Sequence, residues 1–270
     1  MSAALTPRCS VRFRESALKA NPIEPRLSLK PYVQRVLRGH RAGEVWTCDI
    51  TADSIFSGAR DGVGKVWDRE TGANYLNLEA HTSSIFHISA GQGPAGAHSV
   101  LTCGGDGSVV FWDLRQGKPG LTLAGDAQPI FTADVIAEHM VVVAGGDMCA
   151  ARYDLRSGRK VLRFAGHKDS IWDLDVNSLS QRLLTVGADC ALGVWDNLTG
   201  DHLATLSHHL EPITTVKADA SRAYTGDSAG CIMVSDFAVA PDPDLQDSWC
   251  PNPLSSASSC GGINLFNDAS

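Results

Sequence analysis

The chain has 270 residues, 43% of them hydrophobic and 20% charged, a composition that suits a globular protein with a sizeable core. No apolar run approaches the roughly 18 residues that a bilayer span needs, and no signal-peptide h-region follows Met1. The net charge of −7 divides into +6 over residues 1–38, where eight Lys/Arg face Glu15 and Glu24, and −13 over the remainder; an acidic body repels phosphate backbones, which excludes nucleic-acid binding by the main domain and favours protein or peptide partners, basic ones included.

In chain order, residues 1–32 hold Pro and Arg without apolar periodicity and read as a flexible basic leader, with a mitochondrial transit peptide as the less favoured alternative. Val33 to Arg38 follow as a short strand pattern ahead of Gly39-His40. From there a repeat sets in. An aromatic–Asp pair closes a short apolar strand at Trp67-Asp68, Trp112-Asp113, Tyr153-Asp154 and Trp195-Asp196, and in degenerate form at Ser235-Asp236. The intervals are 45, 41, 42 and 40 residues. Six residues before each aromatic stands Asp61, Asp106, Asp147 or Asp189, with Ala229 in the fifth copy. Four residues earlier come Ser57, Thr102, Thr185 and Thr225, with Val143 in the third. Upstream lie Gly39-His40, Ala80-His81, Gly125-Asp126, Gly166-His167 and His208-His209.

Within a copy the apolar residues mark four strands: Ile171, Leu174 and Val176; Leu183, Leu184 and Val186; Leu192, Val194 and Trp195; Leu203 and Leu206. The outer hairpins turn at Thr71-Gly72, Gln116-Gly117, Ser157-Gly158 and Thr199-Gly200, where glycine tolerates positive φ. The third copy, with Asp126, Val143 and Tyr153, must rest mainly on apolar packing, and the fifth keeps only His209 and Thr225.

Four residue types recurring at fixed offsets over about residues 33–236 resemble the WD-repeat family closely. The resemblance implies an all-β propeller with a buried hydrogen-bond chain in each blade. The sets carried over are His40–Ser57–Asp61–Trp67, His81–Thr102–Asp106–Trp112 and His167–Thr185–Asp189–Trp195. It also implies that Val33 to Arg38 complete the last blade. Residues 237–270, with Leu254, Ser256, Cys260 and Phe266-Asn267 near the repeat offsets, are a degenerate final blade or tail. Six blades are therefore expected, with five blades or part of a seven-bladed parent as alternatives.

No residue set points to catalysis, a metal or a cofactor. Gly226-Asp227-Ser228-Ala229-Gly230 spells a nucleophile elbow, but a strand continues after it where the motif needs a helix. His208 and His209 have no ligand at metal spacing, and Asp61-Gly62-Val63-Gly64-Lys65 lacks the spacing of a phosphate loop. The eight cysteines are scattered with no Cys-x-x-Cys, as in a protein of a reducing compartment, so the cytoplasm or nucleus is expected.

A binding surface is the better prospect. The first strand of each repeat opens with an inward aliphatic, Val45, Ile85, Ile130, Ile171 or Ile213. Alternation then turns the next residue, Trp46, Phe86, Phe131, Trp172 or Thr214, away from the core. In the family this position lies on the top face, so four aromatics rimmed by Glu44, Arg60 and Ser170 would form a docking site for a protein or peptide. Arg115 and Arg156 end tandem boxes, Trp112-Asp113-Leu114-Arg115 and Tyr153-Asp154-Leu155-Arg156. These resemble the adaptor-docking boxes of substrate receptors of cullin–RING ubiquitin ligases, the alternative function. An interaction scaffold without enzymatic activity is the expectation.

Overall fold

Runs of Val, Ile, Leu and Thr become strands here because branched side chains suit a pleated, half-buried surface. The computed structural model describes residues 35–237 apart from 42, 92–95, 125–127, 138, 178–180 and 220. Sheet one is β1 (Val45–Ile50), β2 (Ser54–Ala59), β3 (Val63–Asp68) and β4 (Asn74–Glu79). Sheet two is β5 (Ile85–Ala90), β6 (Ser99–Gly104), β7 (Ser108–Asp113) and β8 (Lys118–Ala124). Sheet three is β9 (Ile130–Ala137), β10 (Met140–Gly145), β11 (Cys149–Asp154) and β12 (Arg159–Ala165). Sheet four is β13 (Ile171–Asn177), β14 (Arg182–Gly187), β15 (Leu192–Asp196) and β16 (His202–Leu206). Sheet five has three strands, β17 (Ile213–Ala218), β18 (Arg222–Asp227) and β19 (Ile232–Asp236). Strands are paired in sequence order, and the turn glycines Gly72, Gly117, Gly158 and Gly200 take the positive φ their hairpins require.

The chain divides into two compact units, one with sheets one and two and most of sheet three, the other with sheets four and five. In the first, Phe56, Val66 and Leu78 of sheet one pack on Ile88, Val100, Val110 and Trp112 of sheet two. In the second, Leu184, Val186, Leu192 and Val194 pack on Ile213, Val216 and Ala223. Each such fully buried aliphatic contributes about 1.5–3 kcal/mol. The first strand of every sheet is an edge, and edge amides need acceptors. Thr47 Oγ1 and Asp49 Oδ2 on β1 accept the Ile88 and Ala90 N–H groups of β5 at 3.2 and 2.8 Å. Asp173 Oδ2 and Asp175 Oδ2 on β13 do the same for Val216 and Ala218 of β17, at 2.9 and 2.8 Å.

Three sheets carry the expected polar relay. Trp67 Nε1 donates to Ser57 Oγ at 2.9 Å, His40 Nε2 lies 2.8 Å from the same oxygen, and His40 Nδ1 is 3.2 Å from Asp61. The corresponding distances are 2.9, 2.8 and 3.1 Å for Trp112, Thr102, His81 and Asp106. They are 2.8, 2.7 and 2.8 Å for Trp195, Thr185, His167 and Asp189. The donors and acceptors available assign the tautomer: the carboxylate takes the Nδ1 proton, so Nε2 accepts from the hydroxyl, whose oxygen accepts from the indole.

The fifth repeat differs from its sequence reading. Ala229 stands at the expected Asp position, yet His209 Nδ1 is 2.9 Å from Asp227 Oδ2 and its Nε2 is 2.8 Å from Thr225 Oγ1. A carboxylate two residues earlier in the turn reaches the same imidazole and also accepts the Ala229 and Cys231 N–H groups. Both His209 nitrogens are thereby committed, and β19 follows Ser228 in place of a helix. The third repeat conforms to expectation in the residues described: Val143 and Tyr153 are buried, with Lys160 Nζ over the tyrosine ring at 5.7 Å; Asp126 lies outside the described residues.

Two further expectations change. Val45 is not inward but 50% exposed, whereas Ile85, Ile130, Ile171 and Ile213 are buried. Ile85 packs over Gly58 of the preceding sheet, and no described sheet precedes β1 to receive Val45. Residues 35–38, expected within a closing strand, are in no sheet; Leu37 lies against Gly72 at the β3–β4 turn. Among the described residues β19 has one strand neighbour, β18. The leader 1–32 and the sixth-blade candidates Leu254, Ser256, Cys260 and Phe266 fall outside the described residues.

Asp227 should therefore matter as much as its counterparts. Asp227→Ala leaves the buried His209 Nδ1 without its acceptor, at about 1–3 kcal/mol, loosens the turn whose Ala229 and Cys231 amides it held, and should lower the urea midpoint about as far as Asp189→Ala does. An unchanged midpoint would show that Asp227 carries no such load.

The relay carboxylates also set the acid limit. Burial pushes Asp61 upward, but the Arg41 and Val63 N–H groups and His40 outweigh it and hold the carboxyl below its ordinary range. Asp106, Asp189 and Asp227 are lowered likewise, burial being outweighed by the Ser108, His167 and His209 side chains respectively, with backbone N–H groups adding to each. A depressed folded value stabilises above the unfolded carboxylate value of about 4 and is lost as pH falls through the folded one. The melting temperature should hold from pH 7 to about 5 and drop steeply below about 4, as differential scanning fluorimetry across that range would report.

Candidate docking surface

The aromatic series sits at a backbone irregularity that simple strand alternation does not foresee. In β1 against β2, partners run Val45↔Ala59 and then Thr47↔Gly58, leaving Trp46 without a partner. The same skip falls at Phe86, Phe131, Trp172 and Thr214. Each is the extra residue of a β-bulge, a device that re-aims a side chain. Simple alternation would put Ile88 on the side of Phe86; the bulge resets the phase, so Ile85 and Ile88 share the buried face and Phe86 belongs to neither. Local chemistry permits the bulge at Gly145 and Gly187, where a Cβ would collide with the carbonyls of Pro129 and Ser170.

Three of the four expected aromatics meet. Trp46 stacks on Phe86 with ring centroids 4.8 Å apart and planes 14° from parallel, and Phe86 meets Phe131 edge-on at 5.0 Å. Such pairs contribute roughly 0.5–1.5 kcal/mol beyond burial. All three are half-buried. Gly105 forms the floor: a Cβ there would be 3.1 Å from Phe86 Cε2 and 2.8 Å from Ser83 Oγ. Sequence patterning misses that residue, since a glycine beside the tight turn gives no sign that it seats a ring.

The rim is polar. Trp46 Nε1 donates to Glu44 Oε2 at 3.2 Å, and Arg60 Nη1 lies 3.8 Å from the same oxygen. The Arg60 N–H donates to the Glu44 carbonyl at 3.0 Å, tying the rim to the backbone. Trp172 belongs to the other compact unit, half-buried on its own bulge next to Ser170, whose carbonyl accepts the Ala188 N–H.

The two arginines of the tandem boxes are both exposed. Arg115 folds back on its own box, with Nε and Nη2 donating to the two Asp113 oxygens at 3.1 and 3.2 Å. That pairing holds Asp113 below the ordinary carboxylate range. The Arg156 N–H donates to Asp154 at 2.9 Å. The cysteines offer little chemistry: burial pushes the Cys103 thiol far up, and burial with Glu211 and Asp189 nearby raises Cys190.

The family model for the WD domain, G-beta repeat, matches residues 32–68, 72–113 and 158–196. These segments take in β1–β3, β4–β7 and β12–β15, and so contain the three complete relays; β9–β11 of the third sheet and all of the fifth fall outside them. Nuclear distribution protein PAC1 of Ajellomyces capsulatus (strain H143) is 34% identical over 73 residues, 27% of this chain and 16% of that protein. Among solved structures, the WD40 β-propeller domain of Doa1 superimposes with a TM-score of 0.65 at 19% identity, over 73% of this chain and 65% of that one. The computationally designed Ika8 protein gives 0.64 at 24% identity, over 75% and 62%. The chain thus spans about a sixth of PAC1 and under two thirds of each of these structures. With its relays, sheet order and matched repeats all in agreement, the chain belongs to the WD40-repeat family of β-propellers.

Proposed function

We propose that this protein is a non-enzymatic interaction scaffold that docks a protein or peptide partner on the patch of Trp46, Phe86 and Phe131. The WD40 fold supports a scaffold role in general. The observation that carries the finer reading is the contact of three bulge aromatics, half-exposed and rimmed by Glu44 and Arg60. Aromatic anchors with a polar rim are what binding hot spots favour. Exposure of these rings is a cost that docking would recover. Ligase-adaptor docking through Arg115 and Arg156 draws less support, because Asp113 already takes two of the Arg115 guanidinium N–H groups.

Affinity purification followed by mass spectrometry tests this proposal. Trp46→Ala with Phe86→Ala should lose bound partners at least about tenfold while the thermal melt stays cooperative; retained partners would refute it. Arg115→Ala with Arg156→Ala serves as the comparison, and loss of ligase adaptor subunits there would favour the other role. A subtler change probes the patch geometry. Gly105→Ala presses on Phe86 and should weaken the near-ultraviolet circular dichroism of the Trp46–Phe86 stack, with partner recovery falling in parallel.

A further inference from the structure

We infer that the group taken by this patch is a cation, an arginine or lysine side chain of a basic peptide, with Glu44 as its counter-charge; the inference rests on the patch being the docking site. Trp46 Nε1 donates to the Glu44 carboxylate at 3.2 Å, so a negative charge borders an aromatic stack. A cation on that stack gains both the ring quadrupole and a charge-assisted hydrogen bond. The protein's own Arg60 shows the chemistry the carboxylate accepts, but it does so loosely. At 3.8 Å, with the two side chains 64% and 58% exposed, the pair is weak and exchangeable. The Arg60 main chain stays anchored to Glu44 while its guanidinium can swing out to solvent.

The long-range field points the same way. Beyond residue 38 the chain carries −13, which steers cationic partners in and anionic ones away. An acidic peptide would have to take Arg60 from Glu44 against that field. The neighbouring rings have no charge of their own to offset Glu44, and the Ser84 hydroxyl, which donates to the Arg60 carbonyl, is neutral and keeps lone pairs that can accept.

The test uses the full chain and a defined probe, an N-acetylated, C-amidated Gly-Ala-Arg-Ala-Gly peptide, against the same peptide with citrulline, its neutral isostere, in place of arginine. The Trp46 indole N–H resonance, assigned with Trp46→Phe, reports occupancy by NMR up to about 10 mM peptide, the range expected for one anchored side chain. The arginine peptide should shift it saturably. Citrulline in the probe, or Glu44→Gln in the protein, should weaken binding at least about fivefold, whereas Arg60→Ala should leave it equal or tighter. Equal binding of the citrulline peptide, an unaffected Glu44→Gln, weaker binding by Arg60→Ala, or no shift at all would each overturn the inference. Docking at the patch is judged separately: if Trp46→Ala with Phe86→Ala loses cellular partners that Glu44→Gln keeps, the site stands and its cation chemistry falls.

Discussion

A single hydroxyl oxygen in each complete repeat holds the sheet to its own loops. Thr185 Oγ1 receives the Trp195 indole proton at 2.8 Å and gives its own proton to His167 at 2.7 Å, while Asp189 fixes the far side of the ring. The groups are buried, so they find their partners in one another and not in water. The carboxylate does more than orient the imidazole. Asp189 accepts the Lys168 and Ala191 N–H groups, and Asp61 accepts those of Arg41 and Val63. One polar set therefore fastens the β2–β3 type of turn to the segment that enters the sheet, and the position of that segment decides where the first strand begins.

That dependence explains why one repeat tolerates a displaced Asp while another loses the relay. In the fifth repeat the Asp227 carboxylate is displaced by two residues, yet it still meets His209 and still accepts two turn amides, so every polar group keeps a partner. In the third, Val143 removes the acceptor that a buried indole would need, and Tyr153 in the indole position brings no indole N–H to be satisfied there. The change of hydroxyl to valine and of Trp to Tyr is one event physically. Valine with the tryptophan retained would strand the indole donor.

What is legible in the sequence follows from the same physics. The recurring positions are visible because they hold particular chemical types at fixed offsets, and the resemblance to the WD-repeat family is what joins Trp67, Thr102, Asp189 and their mates into relays. The strands are visible because short apolar runs, almost wholly buried in the middle strands of each sheet, are bounded by turn residues. Asp227 escapes a reading by fixed offset, because only the reach of the carboxylate is constrained and not its place in the turn. The bulges escape because they have no side-chain signature: Trp46 and Phe86 leave the core through a skipped hydrogen-bond register, and alternation alone misassigns Ile88. Val45 looks like its four counterparts, and its exposure depends on a neighbour that its own residue type does not encode.

The patch inherits its rigidity from contacts that lie beneath it. The 2.8 Å hook from Asp49 to the Ala90 amide and the 3.2 Å hook from Thr47 to Ile88 set the spacing of β1 and β5. Trp46 and Phe86 stand at the same bulge position on those two strands, so the hooks fix their stacking distance through the backbone and not through the rings alone. On the proposed docking role, a partner would meet aromatics already ordered, and the side-chain entropy that docking usually costs would have been lost on folding. Asp173 and Asp175 repeat the device between β13 and β17, with Thr214 where an aromatic would stand. The scaffold therefore supplies the same geometry at each bulge it hooks, and the residue placed there decides whether that geometry becomes a binding surface.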